Sequence, residues 1–247
     1  MAERALPPVV ARMWGRETAS RHGPRPSLDV AGIVAAAIAI ADRDGLEGVK
    51  MSSVAAEVGV ATMSLYRYVG SKDELLVAMA DAAAPEPPAL DGRPWRAYLA
   101  TWTRANRDFL LDRPWLLALT SRTPPAGPRA LRWLDRALAA LAGTGLGHGE
   151  RINIATSLTS YAASQATLVH GMTSAAEAAA GDGSIAGLAD YGDILGQVLD
   201  PAEYPELTAA VRAGGFGAAE EWTDDADFNF GLDLLLDGVE ALIARRT

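Results

Sequence analysis

The 247-residue chain has no cysteine, which removes disulfides, thiolate metal sites and cysteine nucleophiles together. Histidine is nearly as scarce: His22, His148 and His170 are scattered and show no metal-ligand spacing. No apolar run reaches the roughly eighteen residues that a membrane-spanning helix needs. The Ala-rich stretch from Ala31 to Ala41 is too short and is followed by Asp42, Arg43 and Asp44. An apolar segment ahead of a small-residue cleavage site is also missing from the N-terminus, so no membrane partner is expected and the expected location is cytoplasmic. Nothing resembles a Ser/His/Asp order, a glycine-rich phosphate loop or a carboxylate pair at an interpretable spacing, so no catalytic residue, metal or cofactor is assigned. Alternating strand-like segments are absent as well, which leaves an all-α fold.

What is present is a composition of 49% hydrophobic and 21% charged residues, enough for one large or two modest domains with a buried core. The net charge of −9 is unevenly spread. Residues 1–83 hold nine Lys/Arg against ten Asp/Glu, and residues 84–247 hold thirteen against twenty-one. Within the first part, Arg4, Arg12, Arg16, Arg21 and Arg25 face only Glu3 and Glu17, which reads as a flexible basic arm over 1–27. Such an arm, with Arg21 and Arg25 foremost, lies along phosphates or in a minor groove, or is simply a solvated tail.

The most informative span is 52–76. Val54, Ala55 and Val58 mark a short helix, and Gly59 supplies a residue tolerant of positive φ that stops it and redirects the chain. A second helix follows from Thr62 to Tyr68. It sends Leu65 and Val69 inward and Thr62, Met63, Ser64, Tyr66, Arg67 and Tyr68 outward, a face with hydroxyls and aromatic rings and almost no acid. Ser71-Lys72-Asp73-Glu74 reads as a capping box, Ser71 accepting from the Glu74 amide while the Glu74 side chain reaches back, so that a further helix starts at Lys72. Before this span, Asp29 reads as the N-cap of a helix with the stripe Val30, Ile33, Val34, Ala37, Ile38 and Ala41, ending at Gly45. The three helices make a helix-turn-helix DNA-binding domain over 28–83. A proline-rich linker over 84–94 follows it, then a larger helical domain over 95–247.

The run Gly59-Val60, Leu65-Tyr66-Arg67-Tyr68, Ser71-Lys72 and Glu74-Leu75 resembles the signature of the tetracycline-repressor (TetR) family at the family's own spacing. The chain departs from that signature at four places. Lys50 stands where a Thr usually caps the second helix, Ser52 and Ser53 where an Arg is common, Met63 for a frequent Gly, and Val69 for a frequent Phe. Losing that cap costs on the order of 1 kcal/mol unless Ser52 or Ser53 takes it over one residue later. The stretch from Phe228 to Leu232 with Leu236-Asp237-Gly238 also resembles the family's C-terminal domain of the tetracycline-repressor type. The resemblance implies a homodimer that binds double-stranded operator DNA and responds to a small-molecule effector. Ser52, Ser53, Thr62, Met63, Ser64, Tyr66, Arg67, Tyr68 and Lys72 would then face DNA. It argues against tetracycline, since Trp102 stands where the tetracycline repressor carries an Asn and no His lies between His22 and His148.

In the second domain, helices are expected from Pro94-Trp95 to about Asp112, at Pro114-Trp115, over Gly127 to Leu141 and from Glu150 onward. One more is expected within 181–217, and a last one over Asp225 to Ala244. Ile154, Leu158, Tyr161, Gln165, Leu168 and Met172 recur at 4-3-4-3-4, and Phe228, Leu232, Leu235, Val239 and Leu242 at 4-3-4-3, the latter bordered by small residues such as Gly238. Such seams serve either a dimer interface or the domain's own core. Ile154, Leu158, Tyr161, Leu168, Phe228, Leu232, Leu235, Gly238, Val239 and Leu242 are assigned to the dimer, because a helix-turn-helix on a two-fold operator needs one. Trp102, Asn106, Trp133, Tyr161, Gln165 and His170 are either core or the lining of an apolar pocket with a few orienting polar groups, and are assigned to the effector. The expected function is a ligand-responsive repressor. Its rivals are an activator, a helical binding or interaction protein with weakened DNA reading, and an enzyme built on the second domain.

Overall fold

The computed structural model describes residues 6–16, 29–119, 125–182, 191–216 and 225–246, the side chains of 175–182 excepted. These residues form helices α1 (Pro8–Met13), α2 (Val30–Gly48), α3 (Met51–Glu57), α4 (Thr62–Val69), α5 (Lys72–Ala83) and α6 (Trp95–Asp112). A 3-10 turn at Pro114–Leu116 precedes α7 (Pro128–Ala140), α8 (His148–Asp182), α9 (Tyr191–Val198), α10 (Pro205–Arg212) and α11 (Asp225–Ala244). No strand occurs among the described residues. No described helix is long and apolar enough to cross a membrane.

Local chemistry sets the N-terminal helices. The Asp29 carboxylate accepts from the Gly32 amide at 2.7 Å and starts α2. Gly45, at φ 69°, breaks α2 before its last residues. Gly59, at φ 72°, makes the corner between α3 and α4, a conformation that a Cβ would strain. Ser71 caps α5 by accepting from the Glu74 amide at 3.1 Å.

Two apolar cores hold the molecule together, and the first ignores the chain linker. It joins Ile33, Ala37, Ile40, Val54, Leu65, Leu75 and Met79 of the helix-turn-helix to Leu110, Trp115, Leu116, Leu119 and Ala166 of the second domain. The second packs Tyr98, Leu99 and Trp102 of α6 with Trp133, Leu141, Leu158, Phe228, Leu232 and Leu236. A row of arginines on α6 meets the acid-rich last helix: Arg96 pairs with Asp233, Asp237 and Glu240, Arg104 donates to Asn229 Oδ1, and Arg107 reaches Asp225 and lies 4.1 Å over the Phe228 ring. Four of the five acids of α11 are thus matched within the chain.

Several sequence expectations change here. Residues 8–13 are helical and packed on α5, not a free arm, because Pro8 suits a helix first turn and Arg12 finds Glu74 at 2.5 Å. The Glu74 carboxylate therefore pairs with Arg12, while the capping box keeps only its Ser71 half. Ser52 and Ser53 are the second and third residues of α3, behind an uncapped Lys50, and neither replaces the lost cap. Among the described residues of 181–217 there are two short helices, α9 and α10, and the Tyr191 ring at the start of α9 meets the Phe216 ring beyond the end of α10.

Candidate nucleic-acid interface and interior cavity

Helix α4 buries Leu65 and Val69 completely and turns the other side outward. Met63 is 77% exposed and Tyr66 41%, Arg67 is exposed, and Thr62 and Ser64 are half-buried. The Tyr68 ring packs partly against the first core, so its hydroxyl, not its ring, is the group available outside. Lys72 and Ser52 are exposed and Ser53 half-buried. Helices α3 and α4 both start without a capping side chain, at Lys50 and Ala61, whereas α2 and α5 are capped by Asp29 and Ser71. In α4 the Ser64 amide bonds the Ala61 carbonyl at 2.8 Å, and the amides ahead of it have no side-chain acceptor, a position that an anion suits. Arg21 and Arg25 lie outside the described residues.

The six residues assigned to an effector do not all come together. Trp102 is 2% exposed, donates its indole N–H to the Trp133 carbonyl at 3.1 Å and lies 5.8 Å from the Trp133 ring, and the Trp133 indole in turn donates to the Pro85 carbonyl. Both are core. Asn106 donates back to the Trp102 carbonyl. Tyr161 stacks on Phe228 and donates its hydroxyl to the Phe228 carbonyl at 2.8 Å, and burial raises its pKa above the ordinary phenol value. A Cβ at Gly231 would fall on the Tyr161 ring, so this contact depends on that glycine. Gln165 is half-buried, and His170 lies apart in a cleft of about 600 Å³ with Asp42, Arg113 and Trp115.

Open apolar space lies elsewhere. A cavity of about 530 Å³ lies between α5, α6, the 3-10 turn, the start of α7 and α8, lined by Leu76, Ala80, Phe109, Leu116, Leu119 and Thr159 among others. That volume suits a drug-sized ligand. Sequence reasoning missed these residues because they come from four distant segments and follow no single helical period. Among the described residues no group of three His, Asp or Glu is placed to hold a metal.

The seam on α11 is also corrected. Phe228, Leu232 and Val239 are buried in the chain's own core, as is Leu158 on α8, so they have no surface to offer a partner. Leu235, Leu242, Ile154 and Tyr161 are half-buried against the same core. The outer face of α11 carries Phe230, 69% exposed, and Leu234, 59% exposed, with Gly238 open beside them, and Leu168 is exposed on α8.

Comparison with known proteins agrees with this geometry. The family model described as bacterial regulatory proteins of the tetR family matches residues 33–79, and the one described as the tetracyclin repressor-like C-terminal domain matches 86–243. The HTH-type transcriptional repressor DrrR1 of Streptomyces coeruleorubidus is 34% identical over 239 residues, covering 95% of this chain and 85% of its own. The class A tetracycline repressor of transposon 1721 in Escherichia coli is 28% identical over 213 residues, 84% of this chain and 88% of its own. Among solved structures, the TetR family protein ActR of Streptomyces coelicolor in complex with (S)-DNPA shares the fold at a TM-score of 0.69 and 23% identity, over 87% of this chain and 98% of that one. With both halves matched, the chain belongs to the tetR family of helix-turn-helix transcriptional regulators.

Proposed function

We propose that the chain is a homodimeric repressor in the cytoplasm that binds a palindromic operator and is released by an apolar small molecule. The observation that carries this reading is the exposed, acid-free face of α4 beside two uncapped helix starts. Repression is favoured over activation by the similarity to a named repressor along nearly the whole chain. The activity is binding, not turnover. On this reading 28–83 is the DNA-reading unit and 95–247 carries the effector and the partner subunit. Tyr66, Tyr68 and Lys72 hold phosphates with Ser52 and Ser53. Thr62, Met63, Ser64 and Arg67 face bases, and Arg21 and Arg25 reach the backbone from the segment before α2.

Phosphate contacts set affinity and its salt dependence, and base contacts set sequence preference. A duplex selected by the protein from a random-sequence pool supplies the test. Lys72→Ala weakens binding to all duplexes alike and lowers the salt slope by about one, whereas Arg67→Ala costs roughly 1–3 kcal/mol at particular base pairs only. An unchanged slope for Lys72→Ala refutes the assignment, and failure to select any duplex refutes the DNA-binding reading.

For the effector, the 530 Å³ cavity replaces the Trp102 and Trp133 neighbourhood as the proposed site. Apolar compounds that raise the melting temperature of the wild-type protein are expected to lose that shift in Thr159→Trp, whose indole fills the space. Its operator affinity without compound should stay within about threefold, a change of less than one kcal/mol. Shifts that survive in Thr159→Trp place the effector elsewhere.

A further inference from the structure

Helix α7 starts with no cap of its own, because Gly127 at the N-cap position has no side chain. Its first amides are satisfied from the other side of the linker: Asp81 on α5 accepts from the Ala130 amide at 2.9 Å and from the Arg129 amide at 3.4 Å. A carboxylate there satisfies orphan donors and meets the positive end of the helix dipole. Gly127 makes room for it, since a Cβ would run into the Asp81 carboxylate. Arg129 reaches back and donates to the Ala84 carbonyl at 2.8 Å. On the other flank the Trp14 indole N–H donates to the Ala126 carbonyl at 2.8 Å. Trp14 follows directly on α1, which the Arg12–Glu74 ion pair fastens to α5, in the first turn after the recognition helix α4. Helix α1 lies outside the matched helix-turn-helix model, which begins at residue 33.

Two segments of the DNA-reading half thus grip one turn of the other half, and the same turn walls the 530 Å³ cavity through Pro125, Ala126, Gly127 and Ala130, with Asp81 at its edge. We infer that residues 126–130 are an interdomain latch, closed by Trp14 and Asp81, through which occupancy of the cavity and the position of the DNA-reading helices are coupled. The inference rests on the regulatory reading above. A molecule that widens the cavity between α5 and the turn must lengthen the Asp81–Ala130 bond, and a helix start that loses its cap is destabilised. By reciprocity, DNA that selects one position of α5 changes the strength of the latch.

The test uses the full chain and the duplex that the wild-type protein selects from a random-sequence pool. Hydrogen exchange at the Arg129 and Ala130 amides is measured with and without duplex. In the wild type, duplex is expected to change those exchange rates by about threefold or more, while Trp14→Phe combined with Asp81→Ala abolishes the change and keeps duplex affinity within about threefold. Trp14→Phe keeps an aromatic ring at an exposed position, and Asp81→Asn keeps one acceptor and restores part of the response, which a merely structural loss would not. Should Asp81→Ala impair folding, removal of residues 1–16 tests the Trp14 side alone, with a reduced response expected. Duplex bound with the turn unresponsive in the wild type, or a response that persists undiminished in the variants, overturns the latch alone. A chain that selects no duplex overturns the regulatory reading and the latch with it.

Discussion

Leu234→Asp is expected to leave each subunit folded, convert the protein from dimer to monomer at micromolar concentration and weaken operator binding by roughly a hundredfold or more. Leu234 is 59% exposed and Phe230, one turn before it, 69%, while the opposite face of α11 is filled by Phe228, Leu232, Leu236 and Val239. An apolar pair that large, left bare beside the open Gly238, is what a partner subunit would cover. An aspartate there stays hydrated in the monomer but loses water without an ion partner in the dimer, so the cost falls on association. Operator binding falls with it, because two linked recognition helices engage their half-sites at an effective concentration that separate monomers do not reach. Sedimentation velocity and gel shift on one preparation check both effects. A monomeric wild type, or a variant that remains dimeric, places the interface elsewhere.

The parts of the fold legible in the sequence are those written in local chemistry. Asp29, Gly59 and Ser71 act through backbone groups within a few residues of themselves, and the structure puts a cap, a corner and a cap there. The final helix spans Asp225–Ala244, as its apolar period implied. That period could not say which surface covers it. The stripe from Phe228 to Leu242 is the strongest apolar repeat on the helix and is taken up by the chain itself. Phe230 and Leu234, set among Asp227, Asp233 and Asp237, look like the wet side, and some of those acids turn out to be answered by Arg96 on α6. Helix α1 was concealed differently: its prolines and arginines resemble a solvated tail, while the Pro8 that starts it and the Glu74 that anchors it are significant only together. The cavity and the Asp81 cap bring together residues dozens of positions apart, and no periodic pattern links them.

Trp102→Ala separates a core residue from a ligand contact, and is expected to destabilise the folded protein by about 3–5 kcal/mol. The side chain is 2% exposed, its N–H is used on the Trp133 carbonyl, and it sits among Tyr98, Leu99, Trp133 and Leu158 in the second core. Removing the indole leaves a large void that these neighbours, held by α6, α7 and α8 at once, can only partly close. For a chain of this size the loss should lower the melting temperature on the order of 10 °C, and the denaturant midpoint should move with it. Trp102→Phe, which keeps most of the volume and gives up the hydrogen bond, should recover more than half of the difference. Operator affinity per folded dimer should remain within about threefold, less than one kcal/mol, because Trp102 touches neither α4 nor the latch. If Trp102→Ala instead melts with the wild type and loses only its response to an apolar compound, Trp102 is a ligand contact and the effector site extends into the second core.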